Sequence, residues 1–400
     1  MNSKKFLFSL SAAAFMAATS AHAIDVKIGV LNDQSGLYSD LTGMGSVWAA
    51  RKAIEDFGAA DKGMNVEVVF ADHQNRPDVG STVARQWYDQ DGVHAIFDVP
   101  TSSVALAVNE LTRDRNKAFI SSGAATSDLT GAACSPNTIH WTYDTWSLAN
   151  GTGRAIVETG GESWFFITAD YAFGHALERD TSAVVQEFGG EVVGTVRHPF
   201  PGSDFSSFLL QAQASGAQII GLANAGGDTV NTVKQAAEFG IVQAGQSLAA
   251  LLMFITDVHA IGLNDAQGLI FTEAWYWDAN DVNREFSEEF SADNRGNKPS
   301  MVQAGVYSSV MHYLKAVEEL GSAEDGAAVV AQMKEMPTED KLFGEGEVRA
   351  DGRKIHDMYL FEVKSPGDST GAWDYYNLRA TIPAAEAFRP LDQGGCALVN

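Results

Sequence analysis

Val26-Lys27-Ile28-Gly29-Val30-Leu31 alternates apolar residues with small or charged ones and runs straight into Asn32-Asp33-Gln34-Ser35-Gly36-Leu37-Tyr38-Ser39-Asp40. An apolar strand ends there in a loop of amides, hydroxyls and glycine. Met44, Val47, Trp48, Ile54 and Phe57 then mark one face of a helix, which makes the stretch the start of a β–α unit. The unit repeats. Residues 66–72, 95–99 and 118–122 read as further strands. The helices between them begin at Pro77 and at Ser102 or Ser103, residue types suited to helix starts. This alternation predicts a parallel sheet covered on both faces.

After an irregular stretch at 129–142 the same grammar restarts. Helices at 146–159, 174–188, 205–215 and 229–239 alternate with strands at 164–168, 191–196, 218–222, 248–255 and 268–272. Three more helices follow, near 282–295, 306–320 and 325–336. Residues 346–349 and 358–363 then read as an antiparallel hairpin about Gly352. The predicted fold is α/β, with two doubly wound parallel-sheet lobes. Ligands of such sheets sit off the carboxyl ends of the strands. Two lobes facing each other make a cleft that closes about a hinge on a small molecule.

Charge and composition exclude other classes. The chain has 400 residues, 27 Lys+Arg against 51 Asp+Glu, and a formal charge of −24. Such a surface repels nucleic acid and anionic lipid headgroups. An apolar fraction of 45% excludes disorder as the dominant state. Residues 1–23 read as a cleavable export signal: Lys4 and Lys5, an apolar run over 6–18, and the small-x-small site Ala21-His22-Ala23. No later stretch is apolar enough to insert in a membrane, so a free periplasmic product is expected. Its two cysteines, Cys134 and Cys396, are expected to pair, because exported thiols tend to do so. Such a bridge would contribute roughly 5 kcal/mol if unstrained, and it brings the tail back to the region of residue 134. The alternative is two separate buried thiols.

The sequence holds no nucleophile elbow, no zinc-binding helix motif and no phosphate loop, and its nine His are scattered. No catalytic residue, metal or cofactor is expected. What stands out is the content of the strand-end loops. Pro100-Thr101-Ser102-Ser103 and Ser121-Ser122-Gly123-Ala124-Ala125-Thr126 join the first loop in offering hydroxyls and amides at helix starts, a neutral cradle for a carboxylate. Singly, each hydroxyl reads equally as a helix cap. At the matching places the second half offers Tyr171 and Phe173, Asn224 to Asp228, Thr256 and Asp257, and Trp275-Tyr276-Trp277. These are wall or packing residues, and three large aromatics in a row cannot all face one core.

In these loops the chain resembles the type I periplasmic solute-binding proteins of ABC importers, in their leucine/isoleucine/valine-binding branch. The carrying residues are Ile28-Gly29-Val30 with Ser35-Gly36, Pro100-Thr101-Ser102-Ser103, Ser121 to Thr126, and Asp170-Tyr171-Ala172-Phe173-Gly174. The resemblance implies that Thr101, Ser102, Ala124, Ala125 and Thr126 hold a carboxylate and that Tyr38 stands at the cleft mouth. It further implies that Phe173 or Tyr171 covers the solute and that Asp257 lies near the acid that receives an ammonium. Asn224 and Trp275 complete the candidate wall, and the aromatic wealth sets an aromatic acid beside an amino acid as the solute.

The resemblance also implies three crossovers between lobes, placed near 142–146, 275–278 and 341–346. The first lobe would then hold 24–143 plus 277–342, the second 144–276 plus 343–378, with a tail at 379–400 returning to the first. The implied partners are a small-molecule solute and an inner-membrane ABC permease, with the protein a monomer that binds no nucleic acid. A sensor module of the same fold and an exported α/β hydrolase are the alternatives.

Overall fold

The structure, a computed structural model, describes residues 23–399. The expected export signal, apart from Ala23, lies outside the described residues. In the first lobe β1 (Ile24–Asn32), β2 (Met64–Asp72), β3 (Ala95–Asp98), β4 (Ala118–Ser121) and β5 (Thr138–His140) form a five-stranded sheet. Its order is β2-β1-β3-β4-β5, and every pair is parallel. Helices α1 (Gly43–Phe57), α2 (Pro77–Asp89) and α3 (Ser102–Asp114) cover it. The central strands are buried on both faces, which explains why they read as near-continuous apolar runs. Gly29 in β1 is a packing requirement, since a Cβ there would stand 2.4 Å from the Trp87 ring of α2.

The second lobe repeats the plan with β6 (Ser163–Ala169), β7 (Glu191–His198), β8 (Ile219–Ala223) and β9 (Ser247–Ala250), parallel in the order β7-β6-β8-β9. Its helices include α4 (Ala172–Glu187) and α5 (Gly227–Glu238). Helices α6 (Asp281–Asp293) and α7 (Met301–Leu320) belong to the first lobe. There Phe290 of α6 and Trp48 of α1 meet edge-on, and Tyr307 of α7 donates to Asp56 of α1. A Ser300/Gln303 capping box starts α7 and left-handed Gly321 ends it.

Several expected elements differ. Strand β9 stops at Ala250, and residues 255–261 are helical, because Asp257 accepts from the Phe254 N–H at 3.0 Å and starts a turn there. Strand β10 (Ile270–Glu273) leaves the parallel sheet and pairs antiparallel with β14 (Met358–Val363), which pairs in turn with β15 (Tyr376–Ile382). The hairpin about Gly352 joins β12 (Gly344–Val348) to β13 (Lys354–Ile355) and not to β14, and β12 also pairs with β11 (Thr338–Asp340). A parallel bridge from His140 to Arg353 attaches this small sheet to the first lobe.

The chain passes between lobes at 141–144 and at 274–280. A third passage, His356 and Asp357, leads from β13, which follows the Arg353 bridge to His140, into β14 of the β10-β14-β15 sheet. Residues 379–382 are still strand β15 of the second lobe, and the tail begins at 383. Cys134 and Cys396 are bonded as expected, with a separation of 262 residues and Cα atoms 5.6 Å apart, which brings the tail back to the region of residue 134. One apolar cluster runs from the first lobe across the cleft through Tyr38, Phe173 and Phe254 into the second.

Candidate functional site

The facing strand ends enclose a narrow gap of about 10 Å³, room for about one water, lined by Tyr38, Leu41, Pro100, Gly123, Ala125, Tyr143, Tyr171, Phe173, Ala225, Leu252 and Phe254. It is small by the standard of ligand pockets because two tyrosines fill it. Tyr38, from the loop after β1, and Tyr171, from the loop after β6, meet hydroxyl to hydroxyl at 2.5 Å across the cleft. Phe200 stacks on Tyr171 with ring centroids 4.0 Å apart and touches Tyr38 at 5.9 Å. Behind Tyr38, the Gly227 N–H donates to the Leu37 carbonyl at 3.2 Å, a main-chain bond from one lobe to the other. Burial is the leading cause that pushes both phenols up, so each stays a protonated O–H donor.

Local rules place these groups. The Tyr38 loop is wound around Asp33, which accepts from the N–H groups of Gly36 and Tyr38 at 2.7 and 2.9 Å. Asp98 and Val99 end β3 with φ of 77° and 54°. A β-branched residue is strained there, and the turn brings Pro100 to the gap. Three successive carbonyls of the loop after β4 are held from behind. Tyr143 Oη donates to Gly123 at 2.6 Å, His140 Nε2 to Ala124 at 2.7 Å and Thr145 N to Ala125 at 2.7 Å. The cradle loop is thus rigid, and its shape comes from the first crossover.

Of the candidate residues, Tyr38, Ala125, Tyr171 and Phe173 come together in the lining. The three expected hydroxyls are turned elsewhere. Thr101 donates to Asn75 Oδ1 at 2.5 Å, Ser102 Oγ accepts from the Thr126 N–H at 3.2 Å, and Thr126 Oγ1 accepts from the Asp128 N–H at 3.4 Å. They build the loop, and Ala124 lies behind it.

Asn224 is inside the second lobe, bonded to Thr229 and Thr232. Trp275 is absent from the lining of the gap; it lies edge-on to Phe286 at 6.2 Å and lines a separate groove. Its neighbour Tyr276 stacks on Tyr376 of the second lobe at 4.6 Å. The Trp-Tyr-Trp run therefore divides between two lobes and packs the second crossover. Tyr143, Leu252 and Phe254 were missed. Tyr143 stands three residues after β5, a strand too short to read in the sequence.

Asp257 is buried and bonded to the Phe254 N–H, one turn from the lining. Burial raises its carboxyl from the ordinary 3.8 to about 7. A raised folded value means that stability from this group is complete below about pH 4 and is lost as pH rises through 7. Asp257→Asn should therefore raise the melting temperature more at pH 8 than at pH 5, by the equivalent of at least about 1 kcal/mol. Equal shifts at both pH values would show that the carboxyl is ionised throughout.

The sequence profile of the periplasmic binding protein family matches residues 25–371. A Leu/Ile/Val-binding protein homolog of Brucella melitensis is 28% identical over 94% of this chain and 95% of that protein. Two crystal structures superpose over 94% of the chain. One is a periplasmic binding protein from Burkholderia mallei, at 50% identity and TM-score 0.91, covered over 99% of its length. The other is a branched chain amino acid ABC transporter periplasmic ligand-binding protein from Burkholderia xenovorans, at 39% identity and TM-score 0.83, covered over 100%. Two parallel-sheet lobes that meet through a tyrosine from each over a gap at their strand ends, in a chain matched almost end to end, belong to the periplasmic binding protein family, whose members bind a small solute and work with a membrane permease and are not enzymes.

Proposed function

We propose that this chain is the exported solute-binding component of an ABC importer and that its solute is a small aromatic carboxylate. The observation that carries the reading is the convergence of the Tyr38 and Tyr171 hydroxyls from opposite lobes. A carboxylate inserted between two protonated phenols accepts from both. Leu41, Tyr143, Phe173, Leu252 and Phe254 supply apolar walls for a ring once the two tyrosines part to admit it. Such a guest touches both lobes at once and so binds the closed form better than the open one, which shifts the population toward closure. No charged side chain lines the gap, and Asp257, held near neutrality, is a weak receptor for an ammonium. Export through the leader, action as a monomer and delivery to an inner-membrane permease complete the proposal.

An α-amino acid is the second reading. Asp257 on the Phe254 turn and the description of the 39% identical Burkholderia xenovorans protein favour it. Calorimetry and thermal shift with benzoate, 4-hydroxybenzoate, leucine and phenylalanine separate the two. Aromatic acids should raise the melting temperature, and Tyr38→Phe with Tyr171→Phe should weaken their binding at least about tenfold. Shifts with leucine or phenylalanine alone would establish the amino-acid reading instead.

A further inference from the structure

The chain crosses between the lobes once more, after the three passages already described. Strand β15 ends at Ile382 in the sheet of the second lobe, and within a few residues Arg389 is bound to the first. Arg389 Nη2 donates to the Ser127 carbonyl at 3.1 Å, its own carbonyl accepts from Arg349 at 2.9 Å, and the disulfide from Cys396 to Cys134 follows. The connecting segment is fastened along its length. Ala384 N–H donates to Asp357 on the third passage at 2.8 Å, and Asn150 of the second lobe donates to the Glu386 carbonyl at 2.8 Å. Phe388 lies edge-on to His356 at 5.3 Å and under the Arg353 guanidinium at 4.5 Å.

The residue that Arg389 grips is itself a contact between lobes. Ser127 Oγ donates to Asp180 of α4 at 2.6 Å, and Arg179 of α4 reaches both Ser127 Oγ at 2.9 Å and Asp128 at 3.0 Å. Gly131 packs so tightly beneath the tail that a Cβ would stand 2.8 Å from the Gly394 carbonyl.

We propose that residues 383–396 form a covalently anchored strap across the hinge, and that Arg389 is a positioning residue that holds Ser127 and Asp128 where Arg179 and Asp180 meet them on closure. The strap limits how far the lobes part and so lowers the ordering required to close them. Nothing in it depends on which solute is carried.

Hydrogen exchange and small-angle scattering on the full-length, solute-free protein test this. In Arg389→Ala and in the Cys134→Ser, Cys396→Ser double variant, amides of 172–180 in the opposite lobe should exchange at least about tenfold faster, while those of β6 stay within about twofold. The radius of gyration should rise in both variants. Arg389→Lys, which keeps a charged donor, should restore most of the protection at 172–180. Faster exchange confined to 127–134 and 383–399, with an unchanged radius of gyration, would overturn the strap and leave a local staple. If either variant fails to fold, Phe388→Ala, which keeps Arg389 and the bridge, should accelerate exchange at 172–180 by about threefold. No acceleration there would equally overturn the proposal.

Discussion

Gly226→Ala is expected to weaken solute binding by about 100-fold, or close to 3 kcal/mol, while both lobes stay folded. Gly226 precedes α5 with φ 57° and ψ −133°, a conformation that only glycine adopts freely. Its importance lies in what faces it. A Cβ would stand 2.6 Å from the Leu37 carbonyl and 2.8 Å from the Tyr38 ring, both on the other lobe. The backbone strain is common to open and closed forms, but the clash exists only when the lobes are together, so the substitution further disfavours the closed state and lowers the bound population.

At Gly227 the nearest contact of an added Cβ is Leu37 Cβ at 3.1 Å, which a shift of a few tenths of an ångström relieves, so Gly227→Ala should weaken binding by less than about tenfold. Calorimetry on the two variants, with scattering to follow compaction, checks the contrast. Equal, small effects would mean that solute is held without full closure.

Arg353→Met is expected to lower stability toward denaturant by about 3–5 kcal/mol, the range for breaking a buried charged network by removing one partner. Arg353 is fully buried at the junction of three segments. It donates to the Tyr143 carbonyl at 3.0 Å and lies 3.5 Å from Asp144, both on the first passage. It also donates to the Lys354 carbonyl at 3.0 Å, and its guanidinium covers Phe388 of the tail. Burial is the largest influence on its charge, pulling its pKa down to about 10, and Asp144 opposes that shift. Methionine fills the volume but takes the guanidinium donor from two carbonyls and the counter-charge from the buried Asp144, which keeps only the Ser147 N–H. A loss below about 1 kcal/mol would show that the passages are held mainly by apolar packing.

Periodicity and loop chemistry along the chain were enough to establish two α/β lobes, strand-end loops that build a cleft, and a tail returned by its cysteine, because each depends on neighbours in sequence or on a general rule of sheet geometry. Tyr38, Tyr171 and Phe173 at the cleft belong to that legible part, since each stands within a few residues of a strand's carboxyl end. The aim of the Thr101, Ser102 and Thr126 hydroxyls was not legible. A hydroxyl takes the nearest good partner, and Asn75 and the backbone at 126–128 offered themselves before any solute did.

Nor could sequence alone show that the hairpin of β12 and β13 is bridged to the end of β5. A short strand pairs with whichever edge is open, and that edge was β5, which lies more than 200 residues earlier in the chain. Tertiary structure alone therefore decided where the chain crosses between lobes and which polar groups are left facing the cleft, because both are settled by competition among partners distant in sequence.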